Sequence, residues 1–178
     1  MREAAALGSL ERFPVLLADP PWRYELTISD SRKVENQYPT MDLAEIKDMG
    51  ENLPAAANAV LFMWATSPKV LEALEVMEAW DFVYRTCMVW TKDRIGMGVY
   101  VRQRHELVLI GTRGKPGAPE KANRPDSVIS APRAEHSKKP AEIYEVIDRM
   151  YPRLPKLELF CRGRVYREGW SAWGNEAV

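Results

Sequence analysis

The sequence predicts an α/β fold built on a mainly parallel sheet with helices on both faces. Short runs of aliphatic and aromatic residues alternate along the chain with amphipathic segments of helical period. One run, residues 59–65, is apolar at every position, which is typical of a strand buried on both faces of a parallel sheet. No internal repeat, low-complexity tract or linker interrupts this alternation, so we expect one domain over residues 1–178.

Each predicted strand is a run of five to nine residues rich in branched aliphatic and aromatic side chains, bounded by residues that favour turns. The first run stops abruptly at Pro20 and Pro21, because proline cannot donate a backbone hydrogen bond to a sheet. The predicted strands cover residues 14–18, 59–65, 82–90, 105–111, 127–131 and 156–161.

Three helices are expected between these strands. The first covers residues 42–48 and is capped by Thr40. The second begins at Ser67-Pro68, since proline is favoured at the first helical position. Its apolar face is predicted to consist of Val70, Leu71, Leu74 and Met77. The third covers 138–150, with Ile143, Val146, Ile147 and Met150 turned inward. Polar loops fill residues 20–40, 92–104 and 113–126.

The composition is that of a cytoplasmic globular protein. The chain has 178 residues, of which 46% are hydrophobic, and no apolar run approaches the roughly 18 residues that a membrane span requires. Residues 1–10 lack the basic start and apolar core of a signal peptide. Two cysteines and two histidines, none in a Cys-x-x-Cys pair, make a zinc site improbable, so we expect no metal.

The formal net charge is zero, but its distribution is uneven. Residues 1–80 carry 7 basic and 13 acidic side chains, whereas residues 81–178 carry 18 and 12. The basic residues of the second half concentrate in predicted loops, where they can follow the phosphates of a nucleic acid. An ordinary solvated face explains such clusters equally well, and both interpretations stay open at this point.

The tetrapeptide Asp19-Pro20-Pro21-Trp22 follows the first predicted strand directly. Ligands of open α/β folds bind at the carboxyl ends of strands, so the tetrapeptide lies where a site is expected. A carboxylate and a backbone carbonyl can together accept both hydrogens of an amino group on a planar ring, while Trp22 covers the ring face. The alternative is a structural turn with a buried aspartate.

Several further segments accompany this tetrapeptide in a fixed order. They are Gln37-Tyr38-Pro39-Thr40-Met41, His105 to Gly111, Ser137-Lys138-Lys139-Pro140, Glu142-Ile143-Tyr144, Leu157 to Phe160 and Gly174-Asn175-Glu176. Together with Asp19-Pro20-Pro21-Trp22 they resemble the adenine-N6 methyltransferases related to the catalytic subunit of the messenger-RNA adenosine methyltransferase. The resemblance extends over residues 14–176 and is closest to a bacterial or phage-like DNA adenine methyltransferase form.

The resemblance implies a circularly permuted Rossmann-like methyltransferase fold with S-adenosyl-L-methionine as cofactor. In that arrangement the cofactor-binding strand comes late in the chain, after the catalytic one. The resemblance implies that Lys139 meets the carboxylate of the cofactor, that Arg162 and Asn175 meet its carboxylate or ribose, and that Phe160 meets its adenine. Asp19 and Glu176 complete the predicted cofactor set.

The resemblance also implies the catalytic and substrate-binding residues. Asp19, Pro20, Pro21 and Trp22 form the catalytic set, with Trp22 also stacking on the target base. Tyr38 and Glu106 are candidates for the acceptor pocket, although a loop aromatic and a strand-end carboxylate explain them equally well. Arg102 and Arg104 are predicted to contact the nucleic acid.

We therefore expect an enzyme that transfers a methyl group from S-adenosyl-L-methionine to the N6 amine of adenine in nucleic acid, with DNA favoured over RNA. The alternatives are an RNA adenine methyltransferase, a catalytically inactive relative that binds nucleic acid, or a methyltransferase acting on another amine. A homodimer or heterodimer is left open, and no membrane partner is expected.

Overall fold

The computed structural model describes residues 6–24, 39–96, 98, 100–133, 138–161 and 167–174. Within them the chain forms seven strands and three α-helices. The strands are β1 (Phe13–Ala18), β2 (Ala55–Ala65), β3 (Val83–Thr91), β4 (His105–Arg113), β5 (Val128–Ser130), β6 (Lys156–Leu159) and β7 (Trp170–Trp173). The helices are α1 (Leu43–Asp48), α2 (Val70–Ala79) and α3 (Glu142–Met150). None of the helices in these ranges is long and apolar enough to cross a bilayer.

The seven strands form a single sheet in the order β5-β3-β4-β2-β1-β6-β7. Strand β1 pairs in parallel with β2 and β6, and the pairs β6–β7 and β3–β5 are also parallel. Strand β4 lies antiparallel between β2 and β3. Six of these seven strands therefore run in one direction, which confirms the predicted mainly parallel sheet.

Each face of the sheet carries its own hydrophobic core. On one face, Ile46 of α1 and Ala73, Val76 and Met77 of α2 pack with Leu16 and Ala18 of β1. On the opposite face, α3 packs Ile143, Ile147 and Met150 against Val15 and Leu17 of β1. Successive residues of β1 thus alternate between the two cores, as the pleat of a strand requires. The predicted covering of both faces by helices is confirmed.

Three details of the helices differ from the prediction. Helix α3 begins at Glu142 rather than at residue 138, because Pro140 disfavours the helical conformation at the residue before it. Helix α1 is capped by Asp42 rather than Thr40, and the backbone N–H of Asp42 donates to the Glu45 carboxylate at 2.7 Å. In α2, Met77 is buried and Leu74 packs against the core as predicted, but Leu71 is 75% exposed, and Ala73 and Val76 complete the buried face. A 3₁₀ turn over Ser67–Lys69 precedes α2 and sets the rotation of the helix, which residue spacing alone does not reveal.

Strand β7 was not predicted. It is only four residues long, and its burial is uneven, so it lacks a strong period-two pattern. Tertiary contacts hold it in place: the Trp170 indole N–H donates to the carboxylate of Asp148 in α3 at 2.9 Å. The Trp170 ring also packs edge-to-face on Tyr144, with centroids 5.0 Å apart.

The direction of the chain connections reverses between β1 and β6. From β1 the chain moves to β2 on one side of the sheet, whereas from β6 it moves to β7 on the other side. The two strands are paired neighbours, although 137 residues separate Ala18 from Lys156 along the chain. Such a reversal opens a crevice at the carboxyl ends of the two strands, where α/β proteins bind their ligands. Asp19 and Phe160 follow these ends.

Candidate active site

Asp19 lies at the carboxyl end of β1 and is held by a lysine from a distant part of the chain. The Nζ atom of Lys139, just before α3, lies 2.9 Å from each oxygen of the Asp19 carboxylate. Both side chains are about four-fifths buried, at 19% and 20% exposure. Ion pairs shielded from water in this way hold their geometry better than exposed ones. The carboxylate is therefore fixed at the reversal point of the sheet.

The two prolines turn the chain sharply after Asp19. The Pro20 carbonyl accepts a hydrogen bond from the Trp22 backbone N–H at 2.8 Å, which closes a three-residue turn. The Pro21 carbonyl accepts one from the Met41 N–H at 3.0 Å, and Trp22 forms a parallel β-bridge with Met41. A carbonyl oxygen has two lone pairs, so the Pro20 carbonyl retains acceptor capacity beside Asp19.

Trp22 serves as an anchor for this turn. Its ring is only 6% exposed and belongs to the core on the α1–α2 face. The indole N–H donates to the Trp64 carbonyl of β2 at 3.3 Å. Trp22 therefore ties the turn to the neighbouring strand, and stacking on a target base, for which little ring surface is open in this structure, stays a prediction.

Glu106 brings a second carboxylate to the same cluster. It lies near the start of β4, and because β4 is antiparallel this end meets the carboxyl ends of β1 and β2. One Glu106 oxygen lies 2.5 Å from the Lys92 Nζ and the other 3.5 Å from the Lys139 Nζ. Asp19, Lys139, Glu106 and Lys92 thus form a row of alternating charges, called the charge row below.

The charge row controls the titration of Glu106. Burial alone raises the pKa of this carboxyl, but the adjacent Lys139 and Lys92 ammonium groups outweigh burial, so the pKa lies below its ordinary value. The two lysines also lie over aromatic rings, Lys139 at 5.5 Å from the Trp64 centroid and Lys92 at 4.6 Å from that of Trp90. Trp64 and Trp90 are buried core residues.

A third carboxyl, Glu158 of β6, lies within electrostatic reach of Asp19. The Tyr144 hydroxyl donates to Glu158 at 2.8 Å. Burial, reinforced by the nearby Asp19 charge, raises the pKa of Glu158 despite this hydrogen bond. Burial and Glu158 together raise the pKa of the Tyr144 hydroxyl, which therefore remains a donor. Tyr144 of α3 and Glu158 of β6 thus form a hydrogen-bonded pair that supports the site next to Asp19.

Phe160 ends β6 with an unusual backbone conformation. Its φ angle is +61°, in the left-handed region that non-glycine residues rarely adopt. This turn stops the strand at Leu159, one residue before Phe160 and two before the predicted end at Cys161. The Phe160 ring stacks on Trp80 at 6.4 Å and meets Trp173 edge-on at 6.1 Å. Strained conformations of this kind concentrate at ligand sites, consistent with the position of Phe160 at the reversal point.

Arg102 and Arg104 are exposed and lie in the loop between β3 and β4. Arg102 Nε donates to the Gly96 carbonyl and Arg104 Nε to the Lys92 carbonyl, each at 2.9 Å. These bonds hold the guanidinium groups against the loop backbone beside the charge row. Neither guanidinium pairs with a carboxylate of the charge row in the contacts that the structure describes, so the predicted role of the two arginines is one of approach rather than chemistry.

The structure thus brings Asp19, Pro20, Lys139, Glu106 and Phe160 to one edge of the sheet. Four further predicted site residues, Tyr38, Arg162, Asn175 and Glu176, lie outside the described residues.

Three residues of the site were not predicted: Lys92, Tyr144 and Glu158. The sequence carries a signal for Lys92, which directly follows a predicted strand and so falls at the same sheet edge. Tyr144 and Glu158 fall in two of the motif segments, but the sequence does not reveal that they contact each other, because this contact depends on how α3 packs on β6.

The fold and the site define a Rossmann-like methyltransferase: a mainly parallel sheet with helices on both faces, and an Asp-Pro-Pro-Trp turn at its reversal point. The MT-A70 family model matches residues 13–176, and the chain belongs to the MT-A70 family.

Individual relatives agree with this assignment. The chain is 32% identical to the Type II methyltransferase M.MunI of Mycoplasma sp, over 93% of this chain and 78% of that protein. It is 31% identical to a probable N(6)-adenosine-methyltransferase MT-A70-like protein of Oryza sativa subsp. japonica and 28% identical to an N(6)-adenosine-methyltransferase MT-A70-like protein of Arabidopsis thaliana. Each covers 94% of this chain, which spans only 23% and 24% of their lengths. The predicted adenine-N6 methyltransferase resemblance is confirmed.

Proposed function

We propose that this protein transfers a methyl group from S-adenosyl-L-methionine to the N6 amine of adenine in DNA. Membership of the MT-A70 family implies a methyl donor, and the names of the relatives support adenine N6 as the acceptor. The observation that carries the proposal is the fixed Asp19 carboxylate beside the Pro20 carbonyl, in a crevice that also contains Lys139.

The described residues fit the chemistry of S-adenosyl-L-methionine. Its amino-acid carboxylate is suited to the Lys139 ammonium, which the structure holds at the crevice with two carboxylate partners. Its adenine is suited to the partly buried Phe160 ring at the end of β6. When bound there, the cofactor supplies an electrophilic methyl group that needs no metal.

The acceptor presents a chemical difficulty that Asp19 and Pro20 can resolve. The lone pair of the adenine N6 nitrogen is delocalised into the ring, so the nitrogen is a weak nucleophile. Hydrogen bonds from the amine to the Asp19 carboxylate and the Pro20 carbonyl favour the pyramidal nitrogen of the transition state. These bonds are stronger in the transition state than in the ground state, which is the condition for catalysis.

Positioning supplies a further part of the rate. The ion pair with Lys139 and the turn anchored by Trp22 fix the two acceptor groups before the base arrives. Effective molarities of about 10⁵–10⁸ M mark the upper limit of what such alignment can contribute. After transfer the nitrogen loses one proton, to water or to Asp19.

DNA is favoured as the substrate because of the likeness to a Type II methyltransferase, at 32% identity, and because of the basic loop beside the site. The chain covers 78% of the Type II methyltransferase but only about a quarter of the plant adenosine methyltransferases. The basic loop between β3 and β4 is suited to a phosphate backbone. A base in a duplex must be extruded before Asp19 can reach its amine, at a cost of a few kcal/mol.

The proposal is tested by incubating the protein with labelled S-adenosyl-L-methionine and, separately, DNA, RNA and free adenosine, then digesting the products to nucleosides. We expect label in N6-methyladenine, with DNA the best substrate. Label in N6-methyladenosine from RNA alone would reassign the substrate. Binding of DNA without any transfer would identify an inactive relative.

A further inference from the structure

A cleft of about 790 Å³ lies beside the charge row, over the far half of the sheet. Its floor is formed by Val89 and Ala131, and its walls by the hydroxyls of Thr91 and Ser130, which lie 3.1 Å apart. Lys92, Arg104 and His105 line the side nearest Asp19. The carboxyl ends of β3 and β5 contribute most of these residues, so the cleft opens at the same edge of the sheet as the active site.

The chemistry of the cleft is suited to a nucleotide. The apolar floor offers a surface for the face of a base, and the two hydroxyls and two cationic side chains suit a sugar and a phosphate. Its charged lining consists of Lys92 and Arg104, which are basic, and Asp93, which is acidic. Arg104 is held in place by its bond to the Lys92 carbonyl, so little side-chain entropy is lost on binding a phosphate.

The position of the cleft relates it to the proposed acceptor site. Strands β3 and β1 are separated by β4 and β2, which places their ends about 14 Å apart at ordinary inter-strand spacing. A nucleic-acid strand whose target adenine is extruded at Asp19 can cover that interval with its neighbouring nucleotides. Lys92 belongs to both places, because it lines the cleft and pairs with Glu106 of the charge row.

We infer that this cleft is a subsite for a nucleotide flanking the target adenine, on one side of it, in the same strand. The inference rests on the proposed function for the identity of the target. In this arrangement a base next to the adenine contacts the protein directly. The cleft therefore helps to determine which adenines are modified.

The test measures binding, so that it does not depend on turnover. Fluorescein-labelled single-stranded DNA oligonucleotides carry one adenine and are extended stepwise on either side, and their affinity is measured by fluorescence anisotropy. For the wild type we expect affinity to rise by about tenfold when extension on one side reaches the cleft, as stacking of one base on the protein contributes.

Two variants and a control locate the effect. Ser130→Trp fills the cleft from an exposed strand position and is expected to abolish the gain on extension. Val83→Trp places the same ring on an exposed position at the other end of β3, at 58% exposure, and is expected to keep it. Arg104→Gln is expected to lower the slope of log affinity against log salt by the amount that about one phosphate contact contributes. This change is expected for the extended oligonucleotides only. This second variant applies if Ser130→Trp fails to fold.

The subsite is rejected if extension brings the wild type no gain, or if both Ser130→Trp and Arg104→Gln behave as the wild type does. A gain on extension without any methyl transfer would overturn the proposed function and leave the subsite standing. Methyl transfer to adenine, with oligonucleotide binding by Ser130→Trp and Arg104→Gln both the same as that of the wild type, would uphold the proposed function and reject the subsite.

Discussion

At the scale of single residues, the site depends on pairs of charges that are distant in sequence. Lys139 meets Asp19 across 120 residues, and it also lies 3.5 Å from Glu106. The sequence predicted that Asp19, Lys139 and Glu106 belong to one site, because each falls in a motif. It could not predict that they pair with one another, since that follows from which strands are neighbours.

The position of Lys139 leads to a prediction for cofactor binding. Lys139→Ala is expected to weaken S-adenosyl-L-methionine binding by roughly 10- to 100-fold, because a hydrogen bond to a charged group contributes about 1.5–3 kcal/mol. Isothermal titration calorimetry in the presence of a chelator measures this. Lys138→Ala, a change at the exposed neighbouring lysine, is the matched control and should bind as the wild type does. Equal affinity in the two variants would remove Lys139 from the cofactor site.

Glu158 leads to a prediction for stability against pH. Its pKa is raised by burial, so the protonated carboxyl is favoured in the folded state. The stability it contributes is fully present below the ordinary glutamate pKa of about 4.3 and is lost as pH rises through the raised value. Glu158→Gln should therefore match the wild type near pH 4 and exceed its free energy of unfolding at pH 8, on the order of 1 kcal/mol.

Urea unfolding at the two pH values measures this difference. Glu78→Gln, at an exposed position of α2, is the matched control for the removal of one glutamate charge. A Glu158→Gln variant less stable than the wild type at pH 8 would show that the hydrogen bond from Tyr144 outweighs the cost of burying the charge.

At the scale of elements, the apolar strands could be predicted closely, the short strands β5 and β6 were predicted a little too long, and the short strand β7 was missed. Strand β2 was predicted as 59–65 and covers Ala55–Ala65, because its first residues pair beside Phe13 without an apolar pattern of their own. Strand β7 was missed because Asp148 and the neighbouring β6, rather than local preference, hold it in place. The antiparallel direction of β4 could not be predicted either, because the 13 residues between Thr91 and His105 are enough for a parallel crossover as well as for a hairpin.

The loop between β3 and β4 leads to a prediction for nucleic-acid binding. Replacing Arg102 and Arg104 together by glutamine, which keeps a donor for the two backbone carbonyls, should weaken DNA binding. Each lost phosphate contact should lower the slope of log affinity against log salt by about 0.7–0.9. Binding measured from low to moderate salt tests this, and cofactor affinity should be unchanged.

The matched control for this loop is the pair Arg85→Gln and Arg153→Gln, at exposed positions elsewhere. If the slope of log affinity against log salt falls equally in both double variants, basic residues anywhere on the surface contribute to DNA binding and the loop has no special role. If the loop variant has the same slope as the wild type, Arg102 and Arg104 do not contact DNA and belong to an ordinary solvated surface.

At the scale of the whole molecule, the reversal of chain direction between β1 and β6 locates the function. It brings Asp19, which follows an early strand, beside Phe160, which follows a late strand. Tyr144 of α3 and Lys139, just before α3, lie over the same edge. The family resemblance implied a late cofactor-binding strand, and the pairing of β6 with β1 agrees with that implication. Alternating apolar patterns alone would have predicted the sheet but not its strand order.

The account depends most on Asp19 as the residue that receives the reacting amine. The direct measurement is the single-turnover rate of methyl transfer to adenine N6 in an oligonucleotide for the wild type, Asp19→Asn and Asp81→Asn. Asp81 is an exposed aspartate at the opposite edge of the sheet, and asparagine tolerates its positive φ of 61°.

We expect Asp19→Asn to keep its thermal transition and to lose at least about 100-fold in rate, as removal of one group that stabilises a transition state does. Asp81→Asn should react as the wild type does. A folded Asp19→Asn protein that transfers methyl groups at close to the wild-type rate would contradict the role assigned to Asp19.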